Sequence, residues 1–281
     1  MIRIFSEGTC DLSKELVDRY NITIIPGRIL LGDKDYKDSP ELDRDMIYKW
    51  ADKNRTTPKT SAPLVEDAME KMKPVIDSGD EIISFCISES MSQSGAVMRM
   101  VADELDAEDR VTVIDSMNLS TGIGLLVIAA ACMAEEGKSR EEIVCEIEKL
   151  RPHVRASFAV DTLTYLHRGG RCSGVAALAG STLKLHPKIV VKDGAMDAHK
   201  KYRGKRKNVI MTYAKDMEEE LQSARSERVF ITHSGVEDET VEEVYNYLEG
   251  LNHFDEILIT RAGGVVSSHC GPGTLGVLFI A

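Results

Sequence analysis

The sequence predicts an α/β protein of two α/β domains, and three observations carry that expectation. Strand-like and helix-like segments alternate from one end to the other, the pattern of layered α/β folds. The chain has 281 residues, and length over ~150 gives about two domains. With 43% hydrophobic and 29% charged residues, it has the composition of an ordinary globular protein. The boundary is expected near Ala156, giving domains 1–155 and 156–281.

Taken in order, Ile2 to Phe5 reads as a buried strand, followed by a turn at Gly8-Thr9-Cys10-Asp11. Asp11 or Ser13 can cap a helix over Lys14 to Tyr20. Ile22 to Ile25 and Arg28 to Leu31 are strand-like around Pro26-Gly27, with a turn at Gly32-Asp33. Ser39-Pro40-Glu41-Leu42 predicts a helix start, Ser as N-cap and Pro in the first turn, running to Lys53. Asn54 to Pro63, with two prolines and four hydroxyls, reads as a loop. A helix over Leu64 to Ile76, a strand over Asp80 to Ile87, a hydroxyl loop over Ser88 to Ser94 and a helix over Ala96 to Leu105 follow. Arg110 to Asp115 is a strand, and Leu119 to Glu136 an apolar helix. Ser139 and Glu142 have capping-box spacing for a helix to Arg151.

In the second half, Ser157 to Val160 is strand-like and Thr162 to His167 helical. Gly169-Gly170 then precedes a small-residue helix over Gly174 to Leu185. His186 to Lys192 and Met196 to Tyr202 form a hairpin around Asp193-Gly194. Arg206 to Ser223 is read as one helix, Val229 to His233 as a strand, Val236 to Leu251 as a helix and Glu256 to Thr260 as a strand. Thr274 to Ile280 closes the fold.

Charge excludes some functions. Lys and Arg total 35 against 46 Asp and Glu, a net charge of −11. Neither the footprint of a general nucleic-acid binder nor a polybasic membrane anchor is present. A DNA-binding regulator is further disfavoured by the lack of a helix-turn-helix pattern. No run reaches the ~18 charge-free apolar residues of a spanning helix. Met1-Ile-Arg-Ile-Phe-Ser-Glu leads into a strand without signal-peptide organisation, so a cytoplasmic protein is expected. The six cysteines form no C-x-x-C pair and no zinc-ligand spacing. Neither metal nor disulfide is expected, and Cys86, Cys132, Cys145 and Cys172 read as buried thiols.

Phosphate-loop, zinc-protease, nucleophile-elbow and calcium-loop motifs are absent, so the chain has no visible means of holding ATP. Gly122-Ile-Gly124 reads as close helix packing. Two hydroxyl loops, Thr60-Ser61-Ala62-Pro63 and Ser88 to Ser94, lie at expected helix starts. There, free N–H groups and hydroxyls suit a carboxylate or phosphate, or else simply cap. In Tyr165-Leu-His-Arg-Gly-Gly-Arg171, the Arg168 and Arg171 forks can hold carboxylate or phosphate, and paired glycines allow close backbone approach. Arginines tied to a nearby acidic helix would be the purely structural alternative. Lys200 to Lys207 packs six basic residues into eight positions, a solvated loop or a dock for an acidic partner. His269, in the Gly/Pro-rich run Ser267 to Thr274, can titrate, donate to an oxyanion or accept a phosphoryl group. His233-Ser234-Gly235 is a weaker version of the same arrangement.

These residues resemble the DegV family of bacterial fatty acid-binding proteins across nearly the whole chain. The resemblance is carried by Thr9-Cys-Asp-Leu12, Thr60-Ser-Ala-Pro63, Ile87-Ser88 with Met91-Ser92, Val113-Ile-Asp-Ser116 with Ser120, Asp161 to Arg171, Pro187-Lys-Ile189 and His269-Cys-Gly-Pro-Gly-Thr-Leu-Gly276. It implies two α/β domains enclosing a lipid tunnel, and a carrier that presents a long-chain fatty acid to an ATP-dependent kinase subunit making an acyl-phosphate for phospholipid synthesis. It implies no cofactor and no integral membrane association. By the resemblance, Thr60 and Ser92 bind the carboxylate, His269 sits beside it and assists phosphoryl transfer, and Arg168 or Arg171 with Arg203 docks the kinase. Gly122 to Ala134 and Val175 to Leu183 would supply tunnel walls. The chain departs from the family pattern at Glu7-Gly8-Thr9, where Asp-Ser-Thr is usual. It departs again at Met91-Ser92-Gln93-Ser94, where Leu-Ser-Gly-Thr is usual, which makes Ser94 the alternative to Ser92. A stand-alone hydrolase or phosphotransferase on a small acyl or carbonyl substrate, using Ser92, Asp115, Ser116 and His269, is the competing reading. It requires a serine and a histidine within hydrogen-bond reach.

Overall fold

The computed structural model describes residues 1–172 and 185–281. In chain order the first half carries β1 (Ile2–Glu7), α1 (Lys14–Arg19), β2 (Thr23–Ile25), β3 (Arg28–Leu31), β4 (Lys34–Lys37) and α2 (Arg44–Asn54). Then come β5 (Lys59–Ser61), α3 (Val65–Asp77), β6 (Glu81–Cys86), α4 (Ser94–Glu104), β7 (Val111–Asp115), α5 (Thr121–Glu135) and α6 (Arg140–Leu150). The second half carries β8 (Val154–Ala159), α7 (Thr164–Gly169), β9 (Leu185–Lys192), β10 (Ala195–Arg203), α8 (Arg206–Lys215) and α9 (Glu218–Gln222). It closes with β11 (Val229–His233), α10 (Asp238–Gly250), β12 (Ile257–Arg261), α11 (Gly264–Cys270) and β13 (Leu275–Ile280).

The architecture is α/β, with three sheets among the described residues. Strands β2-β1-β6-β7 form a parallel sheet, β4-β3-β5 a small antiparallel sheet, and β10-β9-β8-β13-β11-β12 a mixed sheet. The strand segments Ile82 to Cys86, apolar but for Ser84, and Leu275 to Ile280 are buried throughout, as strands covered on both faces must be. Helix α5 is apolar nearly all round. It packs against β1 on one side and β8 and β13 on the other, so one core joins Ile4 and Phe85 to Phe158 and Leu278. Each fully buried Leu or Ile there contributes ~1.5–3 kcal/mol. The close packing expected of Gly124 holds, since a Cβ there would meet Leu12 Cδ2 at 2.7 Å.

Local chemistry sets several boundaries as expected. Ser13 caps α1, accepting from the Leu16 N–H at 3.3 Å. Ser139 and Glu142 form the capping box of α6. The β9–β10 hairpin turns at Asp193-Gly194, both with positive φ.

Other expectations are corrected. The helix read from Ser39 begins at Arg44, with Asp43 as its cap. Ser39 instead closes a turn, its carbonyl accepting from the Leu42 N–H. The loop read over 54–63 contains β5, whose Thr60 pairs with Ile29. The polar strand β4 was not evident from its sequence and is held by β3. Here tertiary pairing overrides composition. The single helix read over Arg206 to Ser223 breaks at Asp216. That carboxylate is drawn to Lys200 at 2.6 Å and Tyr202 at 2.8 Å. Cys145 is exposed and Cys132 half-buried rather than buried. The helix read over Gly174 to Leu185 and the tunnel wall over Val175 to Leu183 fall outside the described residues, except that Leu185 opens β9.

Candidate functional site

The Gly/Pro-rich run read as a loop holding His269 is in fact the end of a helix. Residues 264–270 form α11, and Gly271 ends it at φ 74°. His269 therefore stands on a last helical turn, fixed in direction, rather than on a mobile tip. Its Nε2 lies 2.8 Å from the Thr60 hydroxyl, 209 residues away in the chain. Thr60 is held by β5 pairing with β3. Gly169, at the end of α7, lies against the imidazole: a Cβ there would come within 2.5 Å of His269 Nδ1. Close backbone approach is what the paired glycines allow.

These groups border a cavity of about 550 Å³, well within the size of a small-molecule site. Its polar lining includes Thr60, Ser92, Ser94, His269, Arg171 and Glu7, together with Ser61, Glu89, Ser90 and Gln93. Its apolar lining includes Ile87, Met91, Leu119, Met196, Val265 and Val266. Beyond Leu119, Val266 and Cys270 a further recess of about 20 Å³ reaches Phe158 and Leu278 of the mixed sheet. The Ser92 and Ser94 hydroxyls are 2.8 Å apart, so the two expected alternatives act as one pair at the start of α4.

Electrostatics decide what the site accepts. Burial, with Arg171 adding its positive charge, lowers His269 to about 4. The imidazole is neutral near pH 7, and its Nδ1 is buried with no partner among the described residues. Glu7 is completely buried and accepts the Ile87 backbone N–H. Burial raises its pKa, opposed by those hydrogen bonds. A neutral histidine, three hydroxyls and an arginine beside an apolar space suit one carboxylate attached to an apolar body.

The structure brings together Thr60, Ser92, Ser94, His269 and Arg171. Arg168 and Arg203 are exposed and are not among the described residues lining the cavity. The Lys200 to Lys207 patch is partly neutralised: Lys200 pairs with Asp216, Arg206 with Asp161 and Glu237, and Lys207 with Glu239 and Glu243. Lys201, Arg203 and Lys205 remain exposed. Arg171 hydrogen-bonds the Gly169 carbonyl at 2.8 Å, not an acidic helix. His233 faces the small recess, where burial and Arg261 lower it to about 4.

The triad geometry of a hydrolase is not assembled among the described residues. Ser92 pairs with Ser94 while His269 pairs with Thr60. Ser116 donates to the Asn118 carbonyl, and Asp115 accepts from the Met117 N–H. Among the described residues no group of three or more His, Cys, Asp or Glu could hold a metal ion. None of their helices is long and apolar enough to cross a membrane. The sequence reading missed the roles of Glu7 and of Asp11 and Asp38, which border α11. Its available signal was Gly263-Gly264, a helix start with no capping side chain of its own.

Comparison with known proteins gives consistent matches. A family profile described as "Uncharacterised protein, DegV family" matches residues 1–281. A DegV domain-containing protein of Clostridium perfringens is 32% identical over 282 residues, covering 99% of this chain and 98% of that protein. A solved DegV family protein from Thermus thermophilus, described by its fatty acid binding, superposes with a TM-score of 0.88 at 29% identity, covering 100% of this chain and 99% of that one. A stearic acid-binding protein from Eubacterium ventriosum gives 0.85 at 28% identity, with 100% and 98% coverage. DegV of Bacillus subtilis, a fatty acid binding protein, gives 0.85 at 26%, with 100% and 99% coverage.

Proposed function

Since the chain belongs to the DegV family, we propose that it binds one long-chain free fatty acid and presents its carboxylate to a separate kinase subunit. The acyl chain occupies the cavity of about 550 Å³, and the carboxylate meets Thr60, the Ser92–Ser94 pair and His269. The observation that carries this reading is the Thr60–His269 pair at 2.8 Å on the wall of a cavity that Ile87, Met91, Leu119, Met196, Val265 and Val266 also line. Burial of ~0.8 kcal/mol per CH₂ gives sixteen carbons on the order of 12 kcal/mol gross. Chain ordering removes part of this. A carboxylate buried without partners would oppose binding, and the hydroxyls and imidazole offset that.

In the transfer step a carboxylate oxygen attacks the terminal phosphorus of ATP held by the partner, and the bond from that phosphorus to ADP breaks. His269 stabilises the carboxylate and the transferring group. The exposed Arg168, Arg171 and Arg203 side chains dock the acidic surface of the kinase subunit. In this reading the protein is a cytoplasmic carrier serving phospholipid synthesis. In the same reading the protein is not an enzyme by itself: the ATP and the phosphoryl-transfer machinery belong to the partner.

The direct test is native mass spectrometry of the purified protein, followed by denaturation and extraction. One equivalent of a C14–C18 acid supports the reading. An empty protein that also fails to take up palmitate or oleate overturns it, and partner-free turnover of acyl esters replaces it with the hydrolase.

A proton should accompany the ligand. His269 is held at about 4 when the cavity is empty, and an adjacent carboxylate stabilises the imidazolium and raises that value. The bound state then holds more proton than the free state, so affinity rises as pH falls from 7 toward 5.5. Calorimetry of palmitate binding in buffers of different ionisation enthalpy should record net proton uptake. His269→Asn should remove it.

A further inference from the structure

The structure assigns to Asp38, with Asp11 beside it, the role of positioning His269 through the helix that carries it. Helix α11 has seven residues, too few to be stable by itself. Its first N–H groups have no partner within the helix, and its N-cap, Gly263, has no side chain to accept them. Two carboxylates from the other half of the chain do so. Asp11 Oδ1 accepts from the Gly263 N–H at 2.8 Å, while Asp38 Oδ1 and Oδ2 accept from Gly264 at 2.6 Å and Val265 at 2.9 Å. The glycines make room: a Cβ at Gly263 would lie 3.1 Å from both carboxylates, and one at Gly264 would collide with Ile29.

Both acids are buried, at 4% and 6% exposure. Such groups persist in the interior only when fully hydrogen-bonded, and the positive end of a helix favours their charge. Asp11 also accepts the Ser120 hydroxyl at 2.5 Å. Burial pushes both acids up, against the pull of their hydrogen bonds and of Arg44.

The small antiparallel sheet connects this anchor to the site. Asp38 directly follows β4, and Thr60 lies in β5; both strands pair with β3. One sheet thus ties down the first turn of α11 and hydrogen-bonds the histidine on its last turn. His269 is five residues beyond Gly264, about 7.5 Å along the axis. Constellations of this kind work only when held within ~0.5 Å. Sliding of the helix on release of Asp38 would break the Thr60 contact.

The test uses the delipidated full chain with Asp38→Ala, Asp38→Asn and Asp11→Asn. Two readouts are needed: imidazole nitrogen shifts of His269 without ligand, and affinities for palmitate and for 1-hexadecanol. Asp38→Ala should move the His269 signals and weaken palmitate about tenfold, with hexadecanol changed by less than about twofold. Asp38→Asn, keeping one acceptor oxygen, should lie between, as should Asp11→Asn, which leaves Asp38 in place. Equal weakening of both lipids, or unmoved His269 signals in a folded variant, overturns the assignment. If Asp38→Ala does not fold, the two asparagine variants decide. The lipid arm rests on the fatty acid reading. If the unaltered protein binds neither lipid, that reading fails, and the nitrogen shifts alone decide the positioning role.

Discussion

On the proposed carrier function, His269→Ala is expected to weaken palmitate binding about a hundredfold and to abolish acyl-phosphate formation with the kinase subunit that the proposal invokes. A hydrogen bond to a charged group contributes ~1.5–3 kcal/mol, and leaving a buried charge unpaired costs more; about 2.7 kcal/mol is a hundredfold. The neutral imidazole is the one group of this site able to become a cation in response to the ligand. Thr60→Val, which keeps the side-chain shape, should cost only about tenfold, because Ser92, Ser94 and His269 still serve the carboxylate. Titration calorimetry gives both numbers, and a phosphorylation assay with the partner gives the second consequence. Unchanged affinity in His269→Ala would remove this residue from the head-group site.

Gly169→Ala is expected to reproduce most of that loss while leaving the fold intact. The methyl would sit 2.5 Å from Nδ1, 3.3 Å from Cε1 and 3.5 Å from Cγ of the imidazole. A ring cannot bend away, so it must swing and surrender the 2.8 Å contact with Thr60. Alanine otherwise suits this helical position, by up to ~1 kcal/mol. The neighbouring glycine provides the contrast. Gly170 has φ 66° and nothing within 4 Å of an added Cβ. Gly170→Ala should therefore cost about 1 kcal/mol of stability without moving His269. Denaturant melts paired with palmitate titrations separate the two variants. Equal binding by Gly169→Ala and the unaltered protein would mean that the imidazole does not need its present place.

What was legible in the sequence follows from which interactions are local. The alternation of strands and helices, the Ser139 capping box and the Asp193-Gly194 hairpin are set by neighbouring residues, and all emerge as expected. Strands β4 and β5 carry no apolar pattern of their own and exist through pairing with β3. The break at Asp216 depends on Lys200 and Tyr202 from the preceding strand. For the site, the residue types of Thr60, Ser92, Arg171 and His269 were readable, but their convergence was not. The clearest example is α11: a run rich in Gly, with Pro following, has every mark of a loop. It is helical because Asp11 and Asp38 accept its first N–H groups from 252 and 226 residues away. Within the sequence window the one trace is Gly263-Gly264, a helix start without a capping side chain, and nothing there points to the distant carboxylates.

The separation of 209 residues between Thr60 and His269 also sets the order in which the protein acquires its function during synthesis. At about 5–20 residues per second, His269 leaves the ribosome roughly 10–40 s after Thr60. Val265 of α11 completes the apolar cluster of Ile29, Leu31 and Ile47, so that cluster lacks one member over the same interval. Closing so long a loop is also entropically late. Docking of α11 is therefore a single late event that both closes this apolar cluster and brings His269 to Thr60.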